Sequence, residues 1–186
     1  MRISLLLAAF VLTTAVPAQA AFVAVMQQVG PDIVLIGNGT INLDGLGSPS
    51  SNSALAGRNP NTPSVGGGAT PGSFIDVDLY DGIVSAPAFG TGSGGPWDQG
   101  SGDRVNAIAD QLAVYAGYVS NDPLNYENKL LNASFASIGV NPGTYVWSWG
   151  SGSNADTFTL QIVPEPTSAL FLGCTGALAC LRRRRR

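Results

Sequence analysis

Thr144-Tyr145-Val146-Trp147-Ser148-Trp149 and, after the turn-forming stretch 150–155, Asp156-Thr157-Phe158-Thr159-Leu160-Gln161-Ile162 alternate bulky apolar residues with small or polar ones. Successive side chains of a strand point to opposite faces. Tyr145, Trp147 and Trp149 therefore share one face of the first segment, and Phe158, Leu160 and Ile162 share one face of its return. This predicts a β-hairpin that offers an aromatic-rich side to a core. Immediately before it, Asn141-Pro142-Gly143 places Pro and Gly where a type II turn wants them. The stretch from Ala133 to Ile138 leads through Gly139 into that turn.

Outward from the hairpin the same period recurs. Phe22–Gln27 and Asp32–Ile36 are rich in strand formers and flank Gly30-Pro31, a hairpin signal. Thr40–Leu43 alternates, with Ile41 and Leu43 on one face. Ser73–Tyr80 alternates clearly, which predicts Ile75, Val77 and Leu79 facing in and Asp76, Asp78 and Tyr80 facing out; Ile83-Val84 continues it after Asp81-Gly82. Arg104–Tyr118 fits either period: Val105, Ile108, Leu112 and Tyr115 make a helical face, while Leu112-Ala113-Val114-Tyr115 suits a strand. Strands are favoured, since every other strong segment is β. The stretches 45–73 and 90–102 are crowded with Gly, Pro, Ser and Asn. The first reads as a surface excursion without regular structure, with Leu55 or Val65 touching down, and the second as a loop holding Trp97. The fold class expected is all-β: an antiparallel β-sandwich with long Gly/Ser/Pro-rich loops, a jelly roll being one such arrangement.

The ends differ from this body. Met1-Arg2, the apolar run from Ile3 to Val16, and small residues at Ala18 and Ala20 have the charge, core and cleavage site of a secretory signal peptide. Cleavage would leave Ala21 at the mature N-terminus, which implies the Sec translocon and a signal peptidase as partners. At the other end, the prolines of Val163-Pro164-Glu165-Pro166 interrupt any strand or helix. Thr167–Leu181 is apolar or small throughout, and Arg182, Arg183, Arg184, Arg185 and Arg186 follow. Fifteen residues as a helix cover about 22 Å, short of a hydrocarbon core of about 30 Å. Long arginine side chains can reach the headgroups and offset the mismatch. The cationic block places this end in the cytoplasm. A single short transmembrane helix in the precursor is expected. The chain thus divides into a signal peptide (1–20), a β-sandwich domain (21–162) and a tail (163–186).

The order Pro-Glu-Pro at 164–166, apolar segment at 167–181 and arginine cluster at 182–186 resembles the PEP-CTERM sorting signal of exported proteins of exopolysaccharide-producing Gram-negative bacteria. The resemblance covers Val163 to Arg186, with Cys174 and Cys180 as departures in a segment usually made of Leu, Ala and Gly. Phe135–Gly150 is also similar, less specifically, to the closing stretch of other such proteins. The resemblance implies an exosortase-type processing enzyme acting near Pro164, Glu165 and Pro166. It also implies a transient stay in the inner membrane, then the cell surface or an extracellular matrix, with exopolysaccharide as a partner.

Charge and chemistry narrow the function of the body. The whole chain carries −3, yet from Ala21 to Val163 three cations (Arg58, Arg104, Lys129) face eleven acids, a net −8. Nucleic-acid binding depends on basic residues neutralising phosphates, so no nucleic-acid partner is expected. There is no histidine, and both cysteines lie in the tail. That removes Ser-His-Asp and Cys-His nucleophiles and His-ligated zinc. No cofactor is expected and no catalytic residue is assigned. A carboxylate-pair hydrolase is the remaining enzyme class, but no two acids are singled out. Asp76, Asp78 and Asp81 form the weak calcium candidate, although a solvated strand face accounts for them more simply. Trp97, with Asp98 beside it, is the expected exposed aromatic for a carbohydrate-binding alternative. The leading expectation is a non-enzymatic exported surface or matrix protein.

Overall fold

The computed structural model of the protein describes residues 21–164. The expected signal peptide (1–20), Glu165, Pro166, the apolar segment and the arginine cluster lie outside the described residues. Within them no helix is long and apolar enough to cross a membrane. In chain order the strands are β1 (Ala21–Val29), β2 (Asp32–Gly39), β3 (Ser50–Leu55), β4 (Gly57–Asn59), β5 (Ser64–Gly67), β6 (Phe74–Asp81) and β7 (Gly95–Pro96). They continue with β8 (Gln99–Gly102), β9 (Val105–Ile108), β10 (Gln111–Tyr115), β11 (Leu124–Leu130), β12 (Gly143–Trp149) and β13 (Asp156–Val163). One short α-helix, α1 (Phe135–Ile138), and a 3-10 turn at Gly152–Asn154 interrupt them.

The strands form two sheets, ordered β12-β13-β1-β2-β11-β8 and β3-β6-β10-β9-β5-β4-β7. The expected all-β sandwich is what forms. One main core draws Phe22, Leu35, Trp147 and Phe158 from the first sheet and Val65, Val105, Leu112 and Val114 from the second. The predicted hairpin is β12–β13, with Trp147 opposite Phe158 and both enclosed. The β1–β2 hairpin turns at Gly30-Pro31, where Gly30 takes a left-handed φ of 60°. Two sites let the aromatic rings interlock. At Gly37 a side chain would collide with the rings of Phe22 and Tyr126, and at Gly67 with Tyr126 and Asn128. The bare backbone at Gly67, in the second sheet, is therefore what lets Tyr126 of the first sheet seat between the layers.

Several segments depart from expectation. The sheets are not wholly antiparallel, because β1 pairs with β13 in parallel from Ala21↔Thr157 to Gln27↔Val163. The rest of the domain serves as the connection, so no tight crossover is needed. The segment 45–73 contains three strands, β3, β4 and β5, built from Ser, Asn and Gly whose small side chains hide the period. The loop 90–102 likewise holds β7 and β8. Thr40–Leu43 is not a strand; Ile41 is buried and its backbone bonds the Tyr118 hydroxyl instead. Residues 104–118 are strands, the hairpin β9–β10, as favoured. The stretch before the Asn141 turn carries α1, started by a capping box between Ser134 and Ser137 and stopped at Gly139, φ 62°.

The largest correction concerns β6. Tyr80 stands opposite Leu112, whose side chain belongs to the main core, and Tyr80 joins it there. Val77 and Leu79 consequently lie on the outer side of the second sheet, clustered with Ala54 and Ala113, with Ile75 and Ile108 packed against them. Alternation told which residues share a face; it did not tell which face the core would occupy.

Candidate functional site

The outer apolar cluster floors a groove of about 420 Å³ on the seven-stranded sheet. Val77 and Leu79 of β6, Ala54 of β3 and Ile108 of β9 supply its apolar part. On one side stand Gly57 of β4, packed on the Gly95 carbonyl, and Gly66 of β5, covered by the Asn106 amide, with Gly94 continuing that wall. Phe74, 69% exposed, stands at the rim. Polar groups come mainly from amides and a hydroxyl: Asn52, Asn59, Asn106, Gln111 and Ser64. No acid lines it, and the cation in its wall is Arg58.

Asn106 is the unusual member. Cross-strand from Gly66, it is only 3% exposed and lies flat over that glycine, where a methyl group would strike its amide. Its Nδ2 donates to the Leu55 carbonyl at 2.7 Å, while its Oδ1 has no partner. A buried acceptor left unpaired costs roughly 1–3 kcal/mol, and this one is enclosed by protein against Gly66. Gln111 at the groove's end donates to Asp81 at 2.6 Å.

Beneath the glycine-rich wall lies Trp97. It is 2% exposed, and its indole N–H donates to the Gly66 carbonyl at 2.7 Å. The Arg58 guanidinium sits 5.4 Å from its ring centre and donates to the carbonyls of Gly95 (3.2 Å) and Pro96 (2.9 Å). Burial lowers the Arg58 pKa, and the nearby Asp98 partly offsets this. The expectation of an exposed Trp97 is thus corrected: the ring packs into the main core, where its N–H finds a backbone acceptor in the Gly66 carbonyl. Asp98 is exposed and accepts from the Leu131 N–H.

The aspartate candidates do not assemble. Asp76 and Asp78 share a shallow depression with Ser51 and Ser53, and Asp78 accepts from the Gly117 N–H at 2.8 Å. Asp81, on the opposite side of the strand by parity, is engaged by Gln111. Among the described residues no three His, Cys, Asp or Glu side chains come together to hold a metal. Among the described residues the one deeply enclosed carboxylate is Asp156, 3% exposed, in the wall of a different depression beside Trp149. Its two oxygens accept from the N–H groups of Asn42 and Thr157, both at 2.6 Å, so it fastens backbone and is not free for acid–base chemistry. Burial pushes its carboxyl above the ordinary range, against those two bonds.

Nothing in the alternation of β3, β6 and β9 revealed the groove. The signal that could have found it is a lone amide, Asn106, between the apolar Val105 and Ala107. Of the sorting and cleavage residues, Ala21 opens β1 and Pro164 follows β13; the others lie outside the described residues. No family model, curated protein or solved structure matches the chain.

Proposed function

We propose that this chain is a non-enzymatic exported protein, delivered by its N-terminal signal and sorted through its Pro-Glu-Pro tail to the cell surface or an extracellular polymer matrix. The observation that carries this reading is the tail: Pro164-Glu165-Pro166, fifteen apolar or small residues and five arginines in that order. The position of the last strand supports it. β13 ends at Val163, directly before the motif, so processing there would leave the sandwich whole. A non-catalytic role is supported by a groove without carboxylates and by aspartates already committed to backbone or amide partners. The carbohydrate-binding alternative built on Trp97 and Asp98 is not carried forward, since the indole is enclosed.

Replacing Pro164, Glu165 and Pro166 with alanine tests the sorting step. Cell fractionation should then find the protein retained in the inner membrane. Release in normal amount would overturn the reading. Mass spectrometry of the native product locates both processing points.

A further inference from the structure

We infer that β3, an end strand of the seven-stranded sheet, is a self-pairing edge through which two copies of this chain join antiparallel about Asn52. This goes beyond the export reading and does not depend on it. The strands that end the two sheets are β12, β8, β3 and β7. β12 is bridged by Val84, which exchanges both backbone bonds with Ser148. β8 receives the Ala69 N–H on its Gly102 carbonyl, and β7 is two residues ending in Pro96. β3 runs for six residues, with Ser50, Ser51, Asn52 and Ser53 all exposed and neither charge nor proline to blunt it.

The ladder shows which of its groups face out. Ala116 donates its N–H to the Asp76 carbonyl, extending the pairing of β10 with β6 by one residue. Backbone groups alternate sides along a strand. Asp76, Asp78 and Tyr80 therefore turn theirs to β10, while Ile75, Val77 and Leu79 turn theirs to β3. Ala54, Asn52 and Ser50 answer them in register, which leaves Ser51, Ser53 and Leu55 pointing N–H and C=O away from the sheet. The Ser53 N–H is capped by the neighbouring Asn52 Oδ1 at 2.8 Å, and the Leu55 carbonyl accepts from Asn106. Among the described residues no such cap covers Ser51.

This edge is complementary to itself. A two-fold axis at Asn52 sets Ser51 of each copy opposite Ser53 of the other, N–H to carbonyl in both directions. Opening the Asn52 cap frees the Ser53 N–H for that pairing. The side chains that meet are hydroxyls and amides, so no like charges stand opposed. Asp76 and Asp78 lie one strand back; the β6 strands of the two copies would be three strand spacings, about 14 Å, apart. That exceeds the screening length of about 8 Å at physiological salt. Since each domain carries −8, association should tighten as salt rises.

The test is disulfide trapping of the full chain in a zwitterionic detergent, with Cys174 and Cys180 replaced by serine. Asn52→Cys brings two thiols together across the axis, on Cα atoms about 4.5 Å apart, within disulfide reach. Ser50→Cys would stand opposite Ala54 of the second copy, leaving its thiols on Cα atoms roughly 14 Å apart. Asn52→Cys should form the covalent dimer at least about tenfold faster under mild oxidation. Sedimentation of the unaltered chain should show a reversible dimer that strengthens between about 50 and 500 mM salt. Ser51→Pro removes an outward N–H without touching the ladder to β6, and should weaken that dimer about tenfold or more. Should this variant fail to fold, the cysteine pair decides. Equal trapping of Asn52→Cys and Ser50→Cys, as association through the apolar tail would give, overturns the proposal. So does a dimer that folded Ser51→Pro leaves intact, or a chain still monomeric at about 100 µM.

Discussion

Phe22 and Phe158 stand opposite each other in the parallel pairing of β1 with β13, their rings nearly stacked at 5.3 Å between centroids. Both are fully buried, and Trp147 meets Phe158 edge-on at 5.5 Å. The contact joins the first and last described strands through the main core. Phe158→Ala should therefore cost about 3–5 kcal/mol, whereas Phe74→Ala should fall within about 0.5 kcal/mol of wild type. Urea unfolding of the two variants checks the contrast.

Trp97 should behave as a core residue. Trp97→Ala removes a buried ring, strips the Gly66 carbonyl of its donor and takes the platform from Arg58. A loss of about 3–5 kcal/mol is expected, seen as an early unfolding midpoint. A variant that kept full stability would show the ring to be a surface contact after all.

Gly66→Ala would drive a methyl group into the Asn106 amide. Displacing it breaks the bond to the Leu55 carbonyl. Overpacking of this kind costs about 1–3 kcal/mol. The urea unfolding midpoint of the variant should fall accordingly.

Asp156 makes a pH prediction with a definite sign. Its carboxyl is raised above the ordinary value of 3.8 by burial, so the folded state holds its proton more tightly than the unfolded chain does. Stability from this group is then greatest below 3.8 and falls as pH climbs through the raised value, after which it is flat. Asp156→Asn lacks that slope. The stability of wild type minus that of the variant, from urea titrations between about pH 3 and 7, should shrink as pH rises.

How much of this was legible follows from side-chain size. The hairpin 144–162 was readable because Trp, Tyr, Phe and Leu mark one face and Thr and Ser the other. β3 was hidden because Ser50, Ser51, Asn52 and Ser53 offer no contrast; it is held by its ladder to β6 instead. β6 displayed its period but not its orientation, since Val77 and Leu79 are as apolar as core residues and Tyr80 reads as either. Trp97 reads as a loop residue because glycines surround it in sequence, whereas its burial rests on long-range contacts to the main core and to the Gly66 carbonyl that sequence neighbours do not reveal. The groove is invisible in the sequence because its lining comes from strands far apart in the chain.

The parallel neighbours β1 and β13 also set an order of events for an exported chain. β13 is flanked by β12 and β1, and β12 has no other partner in its sheet. A chain emerging N-terminus first would present β1 and β2 long before β13 arrives, with the open side of β1 a ready template for another strand. Closure of this sheet is therefore a late, long-range step, of the slow kind that demands a wide loop be closed first. For a chain delivered as proposed above, passage across the membrane would be nearly complete before this sheet closed, and a stall would leave an unsatisfied edge facing other copies.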